Sequence, residues 1–122
     1  MSGVLVWIGV GALGGVSAIL RFVLDAVVES RAGRSLPFGT FAVNISGAVA
    51  LGAVVGAGLH GRALLLVGTA TIGSYTTFST WMLETQRLGE DGERAALALN
   101  VVVSLACGLG AVALGRLLGQ TL

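Results

Sequence analysis

Four long apolar runs, separated by three short polar interruptions, organise the 122-residue chain. From Val4 to Leu20 the sequence is apolar apart from glycines and Ser17, and it continues past Arg21 and Asp25 to Val28. Residues 29–37 (ESRAGRSLP) gather charge, glycine, serine and the single proline, which is the composition of a turn. A second run covers about 38–59, and only His60, Gly61 and Arg62 separate it from a third at about 63–86. So short a connection predicts antiparallel neighbours. A charged turn at 87–94 (RLGEDGER) precedes a fourth run at about 95–118. Each run is near the roughly 20 residues that a bilayer crossing requires. The pattern predicts one all-α integral membrane domain over 1–122, with four transmembrane helices and both termini on the same side.

Composition sharpens the picture. Hydrophobic residues make up 55% of the chain and charged ones only 11%, against about 25% in a soluble domain. That excludes a disordered chain and a disulfide scaffold, and it argues against a soluble enzyme with a polar cleft. Cys107 stands alone in an apolar run, with no second cysteine to join it in a disulfide or a metal site. All seven basic residues are arginines scattered singly, and a net charge of +1 offers no basic patch to nucleic acid. The first run has no positively charged leader and is longer than a signal-peptide core, so it is expected to be retained. Arg31, Arg34, Arg87 and Arg94 lie on one side of the expected spans, against Arg62 and Arg116 on the other. The lean is toward cytoplasmic first and third loops, and counts this small also permit insertion both ways round.

Twenty glycines suit helices that approach closely in lipid, and Gly11 with Gly15 and Gly52 with Gly56 have GxxxG spacing. Such glycines indicate contact rather than chemistry. The candidate chemistry lies in the third span, where eight of the twelve residues from Thr69 to Thr80 (TATIGSYTTFST) carry a hydroxyl around Gly73 and Ser74. Hydroxyls can bond back to their own helix and leave it continuous. The same density beside a glycine at mid-membrane is also what an interrupted helix lining a protein-enclosed ion site needs. The expectation is a break near Gly73.

Thr40, Asn44 and Gly47 share one face of the second span. A buried asparagine there either holds helices together or offers its amide N–H to an anion. Phe78 and Trp81, three residues apart, are either packing or a pair of electropositive ring edges. Arg21 lies about 26 Å along the first helix from Val4, near an interface where it can snorkel beside Asp25. Glu84, late in the third span, has a functional role only if it faces a vestibule.

Three segments, GGVSAILRF at 14–22, PFGTFAVNISG at 37–47 and GSYTTFSTWMLE at 73–84, together resemble the bacterial Fluc/CrcB fluoride channels. The likeness extends through all four runs in order. It implies an antiparallel dimer of small subunits that exports fluoride passively across the bacterial cytoplasmic (inner) membrane, with two pores and a structural sodium ion (Na+) at the centre. Carried over residue by residue, the resemblance gives Asn44 and Phe78 as pore-lining, Ser79 and Thr80 as a polar track, Arg21 and Glu84 as vestibule residues, and the backbone carbonyls of Gly73 and Thr76 as sodium ligands. Trp81 falls where the family has its second pore phenylalanine, and Asn100 where a tyrosine is common. The family includes homodimers of dual topology and heterodimers of paralogous subunits, and both remain open for this chain.

The competing reading is a small multidrug-type proton-coupled antiporter, also of four helices and similar length. It would need a carboxylate in the middle of the first span, and none precedes Asp25. A non-transporting assembly subunit would leave the hydroxyl cluster without a role. Enzymatic activity is not expected, because no nucleophile, base and acid converge and His60 stands alone in a turn.

Overall fold

The computed structural model describes residues 2–122, which are helical with no strand among them. Helix α1 runs over Gly3–Ala32. The Ser2 hydroxyl accepts the Leu5 N–H at 3.3 Å to start it, and Gly33, at φ 85°, ends it in a left-handed conformation that favours glycine. Helix α2 covers Phe38–Gly56 and begins directly after Pro37, whose fixed φ suits a helix entry. It stops three residues short of the expected position 59, where Ala57 and Gly58 turn the chain.

The third span is the irregular one. Its first part, α3, occupies residues 61–75 and consists of a helical turn at Gly61–Ala63, a π-helix over Leu64–Ile72 and a last turn at Gly73–Tyr75. After three non-helical residues, α4 resumes over Ser79–Glu90. Helix α5, Arg94–Gly119, completes the chain. π-Helices are rare and cluster at functional sites, and this one leads directly into the interruption.

Three helices, α1, α2 and α5, are long and apolar enough to cross a membrane. Neither α3 nor α4 reaches that length alone. Large side chains point outward, with Trp7, Phe22 and Leu109 each about 70% exposed, while the buried apolar residues are Val6, Val43, Ala70, Ile72 and Ala111. A water-soluble domain does the reverse. In lipid, where large apolar groups gain nothing by hiding, small residues at helix contacts supply the packing.

The tightest packing joins α2 to α5, while α1 lies against α2 and α3, and α4 leans on α5. At the seam, Gly52 and Gly56 rest on the backbone of Val112 and Arg116, and Gly115 and Gly119 rest on the backbone of Val49 and Ala53. A Cβ on Gly115 would fall onto the Val49 carbonyl, and one on Gly52 onto the Val112 carbonyl. By contrast, Gly11 and Gly15 face open space within the protomer. Replacing Gly115 by Ala is therefore expected to cost about 1–3 kcal/mol, as overpacking does. Gly11→Ala should leave the thermal midpoint in detergent unchanged, and equal midpoints for the two variants would contradict this seam.

Candidate functional site: the interruption of the third span

Gly73 is helical, at φ −61° and ψ −36°, and the chain leaves the helix three residues later, where Thr76 adopts an extended backbone at φ −81° and ψ 161°. The expected break near Gly73 is therefore present, at residues 76–78. The reason lies across the bundle, in α2. The Thr77 N–H, which a continuous helix would give to the Gly73 carbonyl, is donated to Asn44 Oδ1 at 2.8 Å. In return Asn44 Nδ2 donates to the Thr77 carbonyl at 2.8 Å. One side-chain amide thus satisfies both backbone groups of the residue at the break, the condition for irregular backbone at membrane depth.

Each free end is finished locally. Thr76 sends both its N–H, at 3.0 Å, and its hydroxyl, at 3.2 Å, to the Ile72 carbonyl, closing α3. Thr77 Oγ1 accepts the Thr80 N–H at 3.2 Å in the manner of an N-cap, opening α4. The rest of the polar α2 face serves the same junction. Gly47 is buried against Thr76 Cγ2, where a Cβ would collide, and buried Thr40 donates a short hydrogen bond to Glu84 Oε1. Of the two roles open to Asn44, it performs the helix-holding one here, and one N–H of its amide is left for a further acceptor.

Most of the expected site residues gather in one place. Asn44, Gly73, Thr76, Phe78 and Trp81 line a single cavity of about 660 Å³ on the flank of the protomer. The Phe78 ring is 70% exposed and meets Trp81 edge to face, with centroids 5.7 Å apart at 67°. Ser79 is exposed and Thr80 half-buried at the first turn of α4. Glu84 lies apart from that cavity, in a charged recess of about 210 Å³ with Glu29, Arg34, Arg87 and Asp91, where Arg34 Nε is 3.5 Å from Glu29 Oε1. Arg21 is half-buried on α1, one turn before Asp25, with no salt bridge between the two among the described residues. Asn100 is buried and donates to Thr85 Oγ1 at 2.9 Å, which in turn donates to the Trp81 carbonyl at 2.8 Å, tying α5 to α4.

The cavities form a series. The charged recess shares Leu36 and Pro37 with an apolar cavity of about 200 Å³. That cavity shares Phe41 and Ser104 with one of about 160 Å³. The last shares Asn44 and Trp81 with the large cavity at the break. Neighbouring spaces thus share lining residues in succession, from the loops at one end of the bundle to the interruption.

Residues 7–116 match the family model described as CrcB-like protein, Camphor Resistance (CrcB). The chain belongs to the CrcB family. Among its CrcB relatives, the Fluoride-specific ion channel FluC 2 of Mycolicibacterium paratuberculosis is 52% identical over 120 residues, 98% of each chain. The protein of the same name from Mycobacterium tuberculosis is 50% identical over 117 residues, 96% of this chain and 93% of its own. The Fluoride-specific ion channel FluC 1 of Rubrobacter xylanophilus is 45% identical over 109 residues, 88% of each. With three apolar helices of spanning length and this family membership, the chain is a multi-pass membrane protein.

Thr77 and Ser104 were not singled out by the sequence. Thr77 stands three residues before Thr80, the spacing of a capping residue, and that signal was lost among its hydroxyl-bearing neighbours. Asn44→Ala would strand the Thr77 N–H and carbonyl away from water, at about 1–3 kcal/mol for each group. The thermal midpoint in detergent should fall, and the Thr77 amide should exchange with deuterium faster than in the native protein. Unchanged midpoint and exchange would contradict the clamp.

Proposed function

We propose that this chain is the subunit of a fluoride-selective channel that lets fluoride leave the cell passively across the bacterial inner membrane and so lowers its intracellular level. The observation that carries the reading is the interruption of the third span: Asn44 holds it open where three cavities in series meet a fourth. The names of the CrcB relatives point the same way.

The chemistry fits a small anion. The N-terminal end of α4 carries the positive end of a helix dipole into the interior, as half-helices do at anionic substrates. Around it stand hydroxyls, an amide and ring edges, with no Lys or Arg on the cavity at the break. Fluoride is strongly hydrated, so a pore must replace its water with hydrogen-bond donors and still release it. Weak donors in series do that where a strong ion pair would retain the ion.

The opposite end of the break suits a cation. The Gly73 carbonyl has lost its helical donor to Asn44, and the Thr76 carbonyl lies in extended backbone on the same cavity. Oxygen donors of this kind are what a hard monovalent cation takes. Two from one chain are too few for a full shell, so a central sodium ion would be shared with a second copy. Its charge would offset the repulsion between anions. Exposed Phe78 and the open flank of the cavity favour the same antiparallel dimer. Relatives numbered 1 and 2 leave room for a paralogous partner as well as a homodimer.

Purified protein in liposomes is expected to release fluoride at least about a hundredfold faster than chloride, alone if a homodimer or on adding a paralogous subunit if paired. Proton-driven ethidium export without fluoride flux would instead establish the antiporter reading. Asn44→Asp places a negative charge at the break and should abolish fluoride release, while undiminished flux in that variant would contradict the assignment. Exchanging sodium for a bulky organic cation should lower the thermal midpoint of the assembled protein in detergent, and an unchanged midpoint would count against the shared ion.

A further inference from the structure

The π-helix that leads into the break carries a side-chain bond that α-helical winding does not offer. Thr71 Oγ1 donates to the Leu66 carbonyl, five residues back, at 2.7 Å. On an α-helix a threonine hydroxyl reaches the carbonyl three or four residues back, whereas a residue five back points about 140° away around the axis. Through the π-helix over Leu64–Ile72 the backbone N–H groups also look back five residues, as the Gly73 N–H does to the Gly68 carbonyl. The Thr71 hydroxyl and the backbone around it therefore specify the same winding. Its donor is committed there, and Thr71 lines a separate cavity of about 300 Å³ with Ser17 and Ser46, not the cavity at the break. Helix α1 leaves room for the wider coil. A Cβ on Gly9 would lie 3.2 Å from Leu66 Cδ2, and one on Gly14 would lie 3.6 Å from the Ala70 carbonyl oxygen.

We infer that Thr71 is a positioning residue for the break: its bond to Leu66 holds the π winding, and the π winding brings Thr77 opposite Asn44. The two are linked because the size of the hydrogen-bonded ring sets how many residues fill a given length of helix. A change of register by one residue carries everything beyond it about 1.5 Å along the axis and about 100° around it. The two bonds between Thr77 and Asn44 are each 2.8 Å long. They do not survive such a shift, since a separation of about 3.6 Å is no longer a hydrogen bond. Helix α2 is not free to follow, because Gly52 and Gly56 rest on the α5 backbone. Thr71 thus acts on the break through Asn44 and has no contact with a passing ion. The positioning role rests on this geometry alone, and its consequence for flux rests on the channel reading.

Hydrogen exchange at the Thr77 amide of the purified protein reads the clamp directly. Thr71→Val keeps the side-chain shape and removes the donor, and it is expected to speed that exchange about fivefold, the weight of one ordinary hydrogen bond. Thr71→Ala, a second donorless variant, should do the same, while Thr71→Ser keeps the donor and should exchange as the native protein does. In an Asn44→Ala background the valine substitution should add nothing, because the clamp through which Thr71 acts is gone. A merely structural role would speed exchange in both backgrounds and along the α2–α5 seam as well. In liposomes, fluoride release is expected to fall in Thr71→Val and to stay at the native rate in Thr71→Ser. Native exchange in both donorless variants, serine as fast as valine, or the same fivefold gain without Asn44 would overturn the inference and leave the channel reading intact. The expected exchange pattern with no fluoride flux from the native protein, alone or with a paralogous subunit, would keep the positioning role and overturn the channel reading.

Discussion

The architecture depends on one side-chain amide standing in for a turn of helix. Thr77 must leave the third span, and in a bilayer its N–H and carbonyl have no water to turn to. Asn44 answers both at 2.8 Å. Without that pairing the least costly arrangement is a continuous helix, in which Thr77 bonds to Gly73, the α4 dipole has no free end inside the protein and the Gly73 carbonyl has no vacancy. The π-helical stretch over Leu64–Ile72 precedes this point, and the Thr76 and Thr77 hydroxyls finish the two cut ends.

The remainder of the fold holds Asn44 in place. Helix α2 is gripped on one side by the glycine seam with α5, where backbone rests on backbone, and on the other by α1. Its polar face, Thr40, Asn44 and Gly47, meets the third span at Glu84, Thr77 and Thr76 in turn. Asn44 and Gly47 of this face also line the large cavity at the break. The Thr77 backbone fixes one N–H and the oxygen of the Asn44 amide, and the second N–H is left for a further acceptor.

Much of this was legible in the residues. The apolar runs marked α1, α2 and α5 because span length is a local property, and Gly52 with Gly56 marked the seam. The matching glycines, Gly115 and Gly119, were hidden among other small residues of α5. The break was expected near Gly73, the residue with the weakest local preference for helix, and its place at Thr76–Phe78 is set by a partner 33 residues earlier in the chain. A π-helix has no compositional signature, and so Leu64–Ile72 read as ordinary helix. The tryptophan at position 81 was visible as a departure from the family.

A high-resolution experimental structure of the assembled protein in fluoride addresses the central claim most directly. The account predicts non-helical backbone at residues 76–78, the Thr77 N–H and carbonyl paired with Asn44, and anion density beside the Asn44 side chain. A continuous helix through this stretch, with Thr77 bonded to the Gly73 carbonyl and fluoride bound elsewhere, would contradict it.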